Sequence, residues 1–84
     1  MTEEQIITTV NQALAEEFEL ELEAMQPAAS IYADLGLDSL DTVDMVIVLE
    51  AAFKFKIRDE EAIKKIRTLQ DIYDFVQRKM AELS

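Results

Sequence analysis

The stretch Asp34-Leu35-Gly36-Leu37-Asp38-Ser39-Leu40-Asp41-Thr42-Val43-Asp44 marks the start of a helix and decides the arrangement around it. Gly36 can take a positive φ in the approaching turn. Either Asp38 or Ser39 can cap the helix that follows. The stretch therefore predicts one serine at a helix N-terminus, flanked by carboxylates.

The helix that follows is apolar over most of its circumference and runs to Phe53. Its apolar residues form two stripes at helical spacing. One stripe can face the core, so the second needs another burial partner. The first stripe contains Met45, Val46, Leu49 and Phe53, and the second contains Leu40, Val43, Ile47 and Ala51.

The residues before this stretch predict one helix and a long connection. A capping box of Thr2 and Gln5 opens a helix over 3–17. Its apolar stripe contains Ile6, Ile7, Val10, Leu14 and Phe18. Alternating apolar residues from Phe18 are typical of a strand, but a lone strand has nothing to pair with. We expect a connection over 18–38, with apolar anchors at Leu22, Met25, Ile31 and Leu35.

Two further helices are predicted after Phe53. The segment Phe53-Lys54-Phe55-Lys56-Ile57 alternates and indicates a short extended connection. Asp59-Glu60-Glu61 opens a short third helix that ends near Lys65 or Ile66. Thr68 caps a fourth helix, with Asp71 three residues on. The core stripe of that helix contains Leu69, Ile72, Tyr73, Val76 and Met80.

The composition predicts one all-α domain over residues 1–84. Half of the residues are hydrophobic, so a core can form despite a net charge of −10. Glycine and proline occur once each, whereas an all-β chain of this size needs more turn residues. The acidic start is unlike a signal peptide, and no run is long enough to span a membrane. We expect a cytoplasmic protein.

The charge is divided unevenly along the chain. Residues 1–53 hold 12 acidic and no basic residues, whereas residues 54–84 hold 8 basic and 6 acidic residues. Such a field repels nucleic acid and anionic membranes and attracts basic protein surfaces. An acidic surface that only aids solubility is the alternative.

The sequence excludes most catalytic and metal chemistry. Cysteine and histidine are absent, which removes thiolate nucleophiles, the commonest general base and the commonest metal ligand. A calcium loop starting at Asp34 fails, because Gly36, Ser39 and Met45 fall where a ligand oxygen, glycine and glutamate are needed. Paired carboxylates have little room for a substrate cleft here. We predict no catalytic residue and no metal site beyond weak cation association.

Covalent modification of Ser39 is the chemistry that remains. A phosphodiester on this serine would gain from free backbone N–H groups and from the positive end of the helix dipole. The alternative is a plain N-cap, which contributes roughly 1 kcal/mol to a helix. Ser39 alone does not decide between them.

The run Asp34-Leu35-Gly36-Leu37-Asp38-Ser39-Leu40-Asp41 resembles the phosphopantetheine attachment motif of acyl carrier proteins. The resemblance covers nearly the whole chain, including the acidic first helix, the long first loop, and the openings Asp59-Glu60-Glu61-Ala62 and Thr68-Leu69-Gln70-Asp71. It implies a four-helix bundle of three longer helices and a short third one.

The resemblance also implies a mechanism. A phosphopantetheinyl transferase would attach 4'-phosphopantetheine from coenzyme A to Ser39, with magnesium. The arm supplies the thiol that the chain lacks and carries acyl groups as thioesters for fatty-acid or related lipid and polyketide synthesis. The protein itself would be a non-catalytic monomer. The core stripes would surround a space for the acyl chain.

In the family that this chain resembles, the second helix is the main partner-recognition element. Its acidic residues would steer toward basic docking patches on the transferase and on acyl-transferring synthase enzymes, and its apolar residues would then dock. By position, the contact face would contain Asp38, Leu40, Asp41, Val43, Asp44, Ile47 and Glu50.

Three departures from the family pattern indicate a specialised carrier with a narrower set of partners. Lys54, Lys56 and Arg58 stand where many relatives carry acidic residues, and Ala51 occupies a position that is often glutamate. The segment around 63–65 is about one residue longer than usual. An aminoacyl or peptidyl carrier and a small acidic adaptor without a prosthetic group remain as alternatives.

Overall fold

The computed structural model describes residues 2–57 and 60–83. These residues form four α-helices in the order α1 (Glu3–Phe18), α2 (Ser39–Phe53), α3 (Glu60–Lys64) and α4 (Leu69–Leu83). The predicted all-α class is confirmed, with three longer helices and a short third one. Extended pairing in these residues is limited to one antiparallel bridge between Ser30 and Thr68.

The helix α1 begins where its capping box predicts. The Thr2 Oγ1 accepts a hydrogen bond from the Gln5 N–H at 3.1 Å, and the Gln5 Oε1 accepts one from the Thr2 N–H at 2.9 Å. The helix ends one residue later than predicted, at Phe18. Glu19 then takes the left-handed conformation, with φ 55°, that glycine usually supplies at a helix end.

The connection from Glu19 to Asp38 differs from the prediction at one anchor. Met25 and Ile31 are buried and Leu35 is half-buried, but Leu22 is 53% exposed. Leu20 packs against the core instead. The left-handed Glu19 ends α1, and a 3-10 turn over Leu22–Ala24 follows, in which the Leu22 side chain lies at the surface.

The long connection is attached to the start of α4 by backbone hydrogen bonds. The Ile31 N–H donates to the Arg67 carbonyl at 2.9 Å, the Leu69 N–H to the Ala29 carbonyl at 3.2 Å, and the Gln70 N–H to the Pro27 carbonyl at 2.9 Å. These bonds satisfy backbone groups that a loop would otherwise leave to solvent. They hold the loop in place before it reaches the start of α2.

The core lies between α1, α2 and α4, and α1 packs against both of the others. The predicted stripe of α2 is buried at Met45, Leu49 and Phe53, while Val46 is half-buried. The α4 stripe is buried except for Met80, which is half-buried, and Phe75 joins it. Completely buried side chains are Val10, Leu14, Ile31, Met45, Leu69, Ile72, Tyr73 and Val76.

The helix α2 ends at Phe53, where its apolar run was predicted to end, and Lys54 is left-handed with φ 57°. Phe55 is buried, and its ring stacks on Phe53 at 5.8 Å between centroids. The helix α3 ends at Lys64, just before the predicted end. Arg58 and Asp59, which the sequence analysis singled out, lie outside the described residues.

Candidate functional site

Asp38, and not Ser39, caps α2. The Asp38 Oδ1 accepts hydrogen bonds from the Leu40 N–H at 2.9 Å and from the Asp41 N–H at 3.0 Å. The Asp41 Oδ2 in turn accepts one from the Asp38 N–H at 3.0 Å. This reciprocal capping box satisfies the helix end without the neighbouring serine. The structure thereby decides between the two caps that the sequence left open.

Ser39 is the first residue of α2 and is exposed. Its carbonyl accepts a hydrogen bond from the Thr42 Oγ1 at 2.6 Å. Within residues 2–57 and 60–83, its own hydroxyl makes no hydrogen bond. The hydroxyl can therefore be substituted without breaking an internal contact, which a capping serine could not allow.

One expectation about this helix end holds only in part, because the Ser39 N–H makes no hydrogen bond within residues 2–57 and 60–83 but the next three N–H groups do. A phosphodiester on Ser39 was expected to gain from free backbone N–H groups. The N–H groups of Leu40 and Asp41 already donate to Asp38, and the Thr42 N–H donates to the Asp38 carbonyl at 3.2 Å. The favourable helix dipole remains, but these three donors are used within the protein.

The approaching turn fixes where α2 starts. Gly36 has a φ of 72°, in the left-handed region that glycine tolerates best. On the N-terminal side of the turn, the Asp34 Oδ2 accepts a hydrogen bond from the Ser30 N–H at 2.7 Å. On the other side, the buried Leu37 donates its N–H to the Ile31 carbonyl at 3.1 Å. The predicted positive φ of Gly36 is confirmed.

A cleft of about 490 Å³ opens beside Ser39, between α2, the segment that ends at Ile57, and α3. The acyl-chain space was expected among the core stripes. This cleft lies along the exposed second stripe of α2, and Val46 of the first stripe also lines it. Its lining is mostly apolar and comprises Tyr32, Ser39, Thr42, Val43, Val46, Ile47, Ile57, Ile63 and Lys64.

Six of these lining residues were not predicted as site residues: Tyr32, Thr42, Val46, Ile57, Ile63 and Lys64. Thr42 and Val46 lie on α2 itself. Ile57 and Ile63 carried a weak signal, because each is an isolated apolar residue in a strongly charged segment. Tyr32 and Lys64 carried none, since only the fold brings them to the cleft.

The second stripe of α2 is exposed. Leu40 is 76% exposed, and Val43 and Ile47 are each 59% exposed. Asp38 and Asp44 are also exposed beside them. The structure thus brings five of the seven predicted contact residues to the surface of α2.

The other two residues of the predicted face are partly engaged in the fold. Asp41 and Glu50 are half-buried. Asp41 belongs to the capping box, and the Glu50 Oε2 accepts a hydrogen bond from the Ile57 N–H at 3.2 Å. Glu50 therefore fixes the segment that forms one wall of the cleft.

The described part of the chain has neither a cluster of metal ligands nor a helix that could cross a membrane. Residues 2–57 and 60–83 contain no group of three or more carboxylates placed to hold a metal ion. Over the same residues, no helix combines the length and apolar character that crossing a membrane requires.

Comparison with known proteins places the chain in a family. The family model described as a phosphopantetheine attachment site matches residues 8–76. The acyl carrier protein of Thermosynechococcus vestitus is 38% identical over 81 residues, which cover 96% of this chain and 99% of that protein. The chain belongs to the acyl carrier protein family. The acyl carrier protein of Syntrophobacter fumaroxidans is 41% identical over 68 residues, which cover 81% of this chain and 83% of that protein.

Phosphopantetheine is therefore the cofactor of this acyl carrier. The residues present fit such a group. The exposed Ser39, whose hydroxyl makes no hydrogen bond within residues 2–57 and 60–83, stands at the start of α2, and an apolar cleft lies beside it. A covalently held arm would reach solvent from this position without any change in the fold.

Proposed function

We propose that Ser39 carries 4'-phosphopantetheine and presents acyl thioesters to the enzymes of fatty-acid or related lipid and polyketide synthesis. The observation that supports this most directly is the separation of roles at the start of α2. Asp38 makes the cap, and the exposed hydroxyl of Ser39 makes no hydrogen bond within the described residues. The hydroxyl thus has no structural duty that attachment would disturb.

In the attachment step, the Ser39 Oγ forms a bond to the phosphorus that carries the pantetheine of coenzyme A. The pyrophosphate bond breaks, and adenosine 3',5'-bisphosphate leaves. The hydroxyl proton needs an acceptor. Since this chain has no histidine, we assign that base, together with the magnesium, to a phosphopantetheinyl transferase. This carrier would then be a substrate of that enzyme rather than a catalyst.

The lining of the cleft favours an acyl cargo over an aminoacyl or peptidyl one. Most of the lining is aliphatic, and burial of aliphatic carbon is favourable by about 25 cal/mol per Å². The ammonium group of an aminoacyl cargo would need a carboxylate partner. The lining residues include Lys64 and no carboxylate. An aliphatic chain is the better match to these side chains.

The exposed row of Leu40, Val43 and Ile47 is the surface that we propose for partner docking. Asp38 and Asp44 lie beside it and would attract lysine and arginine on the transferase and on synthase enzymes. The Asp44 carboxylate has no hydrogen bond or ion pair within residues 2–57 and 60–83, so it is available to a partner. We propose that the chain acts as a cytoplasmic monomer with one domain over 1–84.

We further propose that the partner set is narrower than that of a general carrier. Lys54 and Lys56 are both exposed after α2, and Ala51 places an uncharged surface residue on its last turns. The acidic field of the Ser39 end therefore does not continue along α2. A partner with basic groups along the whole helix would be repelled at this end.

Loading with phosphopantetheine tests the attachment. The purified protein is incubated with coenzyme A, magnesium and a broad-specificity phosphopantetheinyl transferase, and intact masses are recorded. We expect a gain of one phosphopantetheine in the wild type and in Ser30→Ala, which removes another serine hydroxyl. We expect no gain in Ser39→Ala.

A folded wild-type protein that gains no mass would overturn the proposal in favour of an acidic adaptor. Where the arm is attached, incubation of the loaded protein with acyl and aminoacyl synthetases distinguishes the two kinds of cargo. Acylation of the arm supports the acyl carrier, and loading by aminoacyl synthetases alone would overturn it.

A further inference from the structure

The start of α2 has few groups that can neutralise a phosphodiester. Asp38, Asp41 and Asp44 place carboxylates within six residues of one another. The N–H groups of Leu40 and Asp41 already donate to Asp38. A singly charged phosphodiester on Ser39 would therefore enter an acidic environment without these short-range donors. Its counter-charge must come from another part of the fold or from solvent.

Lys64 is placed to supply that charge. It is the last residue of α3 and lines the same cleft as Ser39. Of the residues that line this cleft, it alone carries a positive charge. The ion pair found within residues 2–57 and 60–83 joins Lys79 to Glu82, so the Lys64 ammonium is not paired with a carboxylate there.

We propose that Lys64 is a positioning residue for the arm, and that its ammonium pairs with the phosphodiester on the Ser39 oxygen. The inference depends on the proposed attachment at Ser39. A lysine is a flexible point charge, and it can follow a phosphate that has no rigid cradle. The pair would join α3 to α2 across the mouth of the cleft.

This pair gives the attached arm a structural effect on the carrier. The helix α3 has five residues, which is too short to be stable by itself. A charge pair at its last residue would hold it against α2 in the loaded protein. Because Lys64 is exposed, the attraction between its ammonium and the phosphodiester weakens as salt is raised. Above ~0.1 M the screening length falls below ~10 Å.

Lys65 provides a matched control. It is the next residue along the chain and is also exposed, but it lies in the cleft between α3 and α4 with Asp74 and Arg78. Lys64→Met and Lys65→Met remove the same charge and keep most of the aliphatic stem. They differ in whether the substituted residue lines the Ser39 cleft.

The experiment compares unloaded and loaded forms of the wild type and both variants. Loading is first verified by intact mass, and thermal midpoints are then measured at 20 mM and 500 mM NaCl, where the screening lengths are ~20 Å and ~4 Å. We expect loading to raise the wild-type midpoint by roughly 1–6 °C at low salt. The rise should persist in Lys65→Met and disappear in Lys64→Met and at high salt.

The phosphorus NMR signal of the loaded protein supplies a readout at the phosphodiester itself. We expect its chemical shift to differ between wild type and Lys64→Met and to agree between wild type and Lys65→Met. A loaded protein with the same midpoint change and the same phosphorus shift in all three forms would overturn the role of Lys64. Failure to load at all overturns the proposed attachment instead, so the two failures are distinct.

Discussion

The Tyr73 hydroxyl donates a hydrogen bond of 2.6 Å to the Asn11 Oδ1 and thereby joins α4 to α1. Tyr73 is completely buried. Burial raises the pKa of its phenol above the ordinary value, and the hydrogen bond to Asn11 opposes part of that change. The neutral phenol is therefore the form that the folded protein favours.

The raised pKa of Tyr73 makes stability depend on alkaline pH. The unfolded chain loses this proton near pH ~10, whereas the folded protein keeps it to higher pH. The stabilisation is fully present below that pH, and the free energy of unfolding falls as pH rises through the folded pKa. Urea unfolding from pH 8 to pH 11 measures this.

Tyr73→Phe is the control for this pH dependence. It removes the phenol and the hydrogen bond, so we expect a loss of about 0.5–1.5 kcal/mol at neutral pH. Its unfolding free energy should fall less steeply above pH ~10, because the phenol that titrates in the wild type is absent. Equal slopes in the two proteins would contradict the role assigned to Tyr73.

The two neighbouring residues at the start of α2 should respond differently to alanine. Asp38→Ala removes the acceptor of two backbone N–H groups, and we expect a cost of about 1 kcal/mol. Ser39→Ala removes a hydroxyl without an internal hydrogen bond, and we expect a change within ~0.5 kcal/mol. Urea unfolding at pH 7 distinguishes them, and a cost of Ser39→Ala equal to that of Asp38→Ala would contradict the assigned caps.

The exposed Leu40 should matter for docking and little for folding. We expect Leu40→Ala to change stability by less than ~0.5 kcal/mol. It should lower the kcat/KM for loading by the transferase about three- to tenfold, because an apolar contact is lost. Leu22→Ala is the comparison, since Leu22 is also an exposed leucine, at 53%, but lies outside the proposed docking row. Equal loading kinetics for both variants would remove Leu40 from the docking surface.

The left-handed backbone of Glu19 should lower the free energy of unfolding. It is left-handed at the C-terminal end of α1, where a carboxylate also opposes the helix dipole. We expect Glu19→Gly to stabilise the protein by roughly 1 kcal/mol. Glu21→Gly loses the same charge from an extended residue with φ −88°, so it should not stabilise. Urea unfolding tests both, and equal effects would show that charge alone is responsible.

The basic residues after α2 should influence partner choice. We expect the double variant Lys54→Glu, Lys56→Glu to change turnover with a cognate synthase at least ~3-fold at low salt, with the difference shrinking at high salt. Arg67→Glu with Arg78→Glu makes the same change in net charge away from α2. Unchanged turnover with every candidate synthase would contradict a narrowed partner set.

The predictable parts of this fold were those with a local chemical cause. Thr2 with Gln5 located the start of α1, and Gly36 located the turn before α2. The two stripes of α2 separated as their spacing predicted, since Met45 is buried and Leu40 is exposed. In each case the residues that set the local structure lie within a few positions of one another.

The parts that sequence could not predict depend on conformation or on distant contacts. The left-handed conformation of Glu19 carries no sequence signal, since glycine is the usual residue at such a helix end. For this reason Leu22 was wrongly predicted to be an apolar anchor. The choice of Asp38 as the cap was open because both candidates are good caps. Lys64 reaches the Ser39 cleft only because α3 folds back toward α2.

The assignment of the cap to Asp38 has a consequence for how position 39 evolves. The cap does not use the serine hydroxyl, so selection for stability acts on Asp38 and not on Ser39. A lineage that lost its transferase could exchange the serine at once, with no loss of stability to slow it. Under the proposed attachment, the identity of this residue records chemical use alone, and it would be the first position to drift once that use ended.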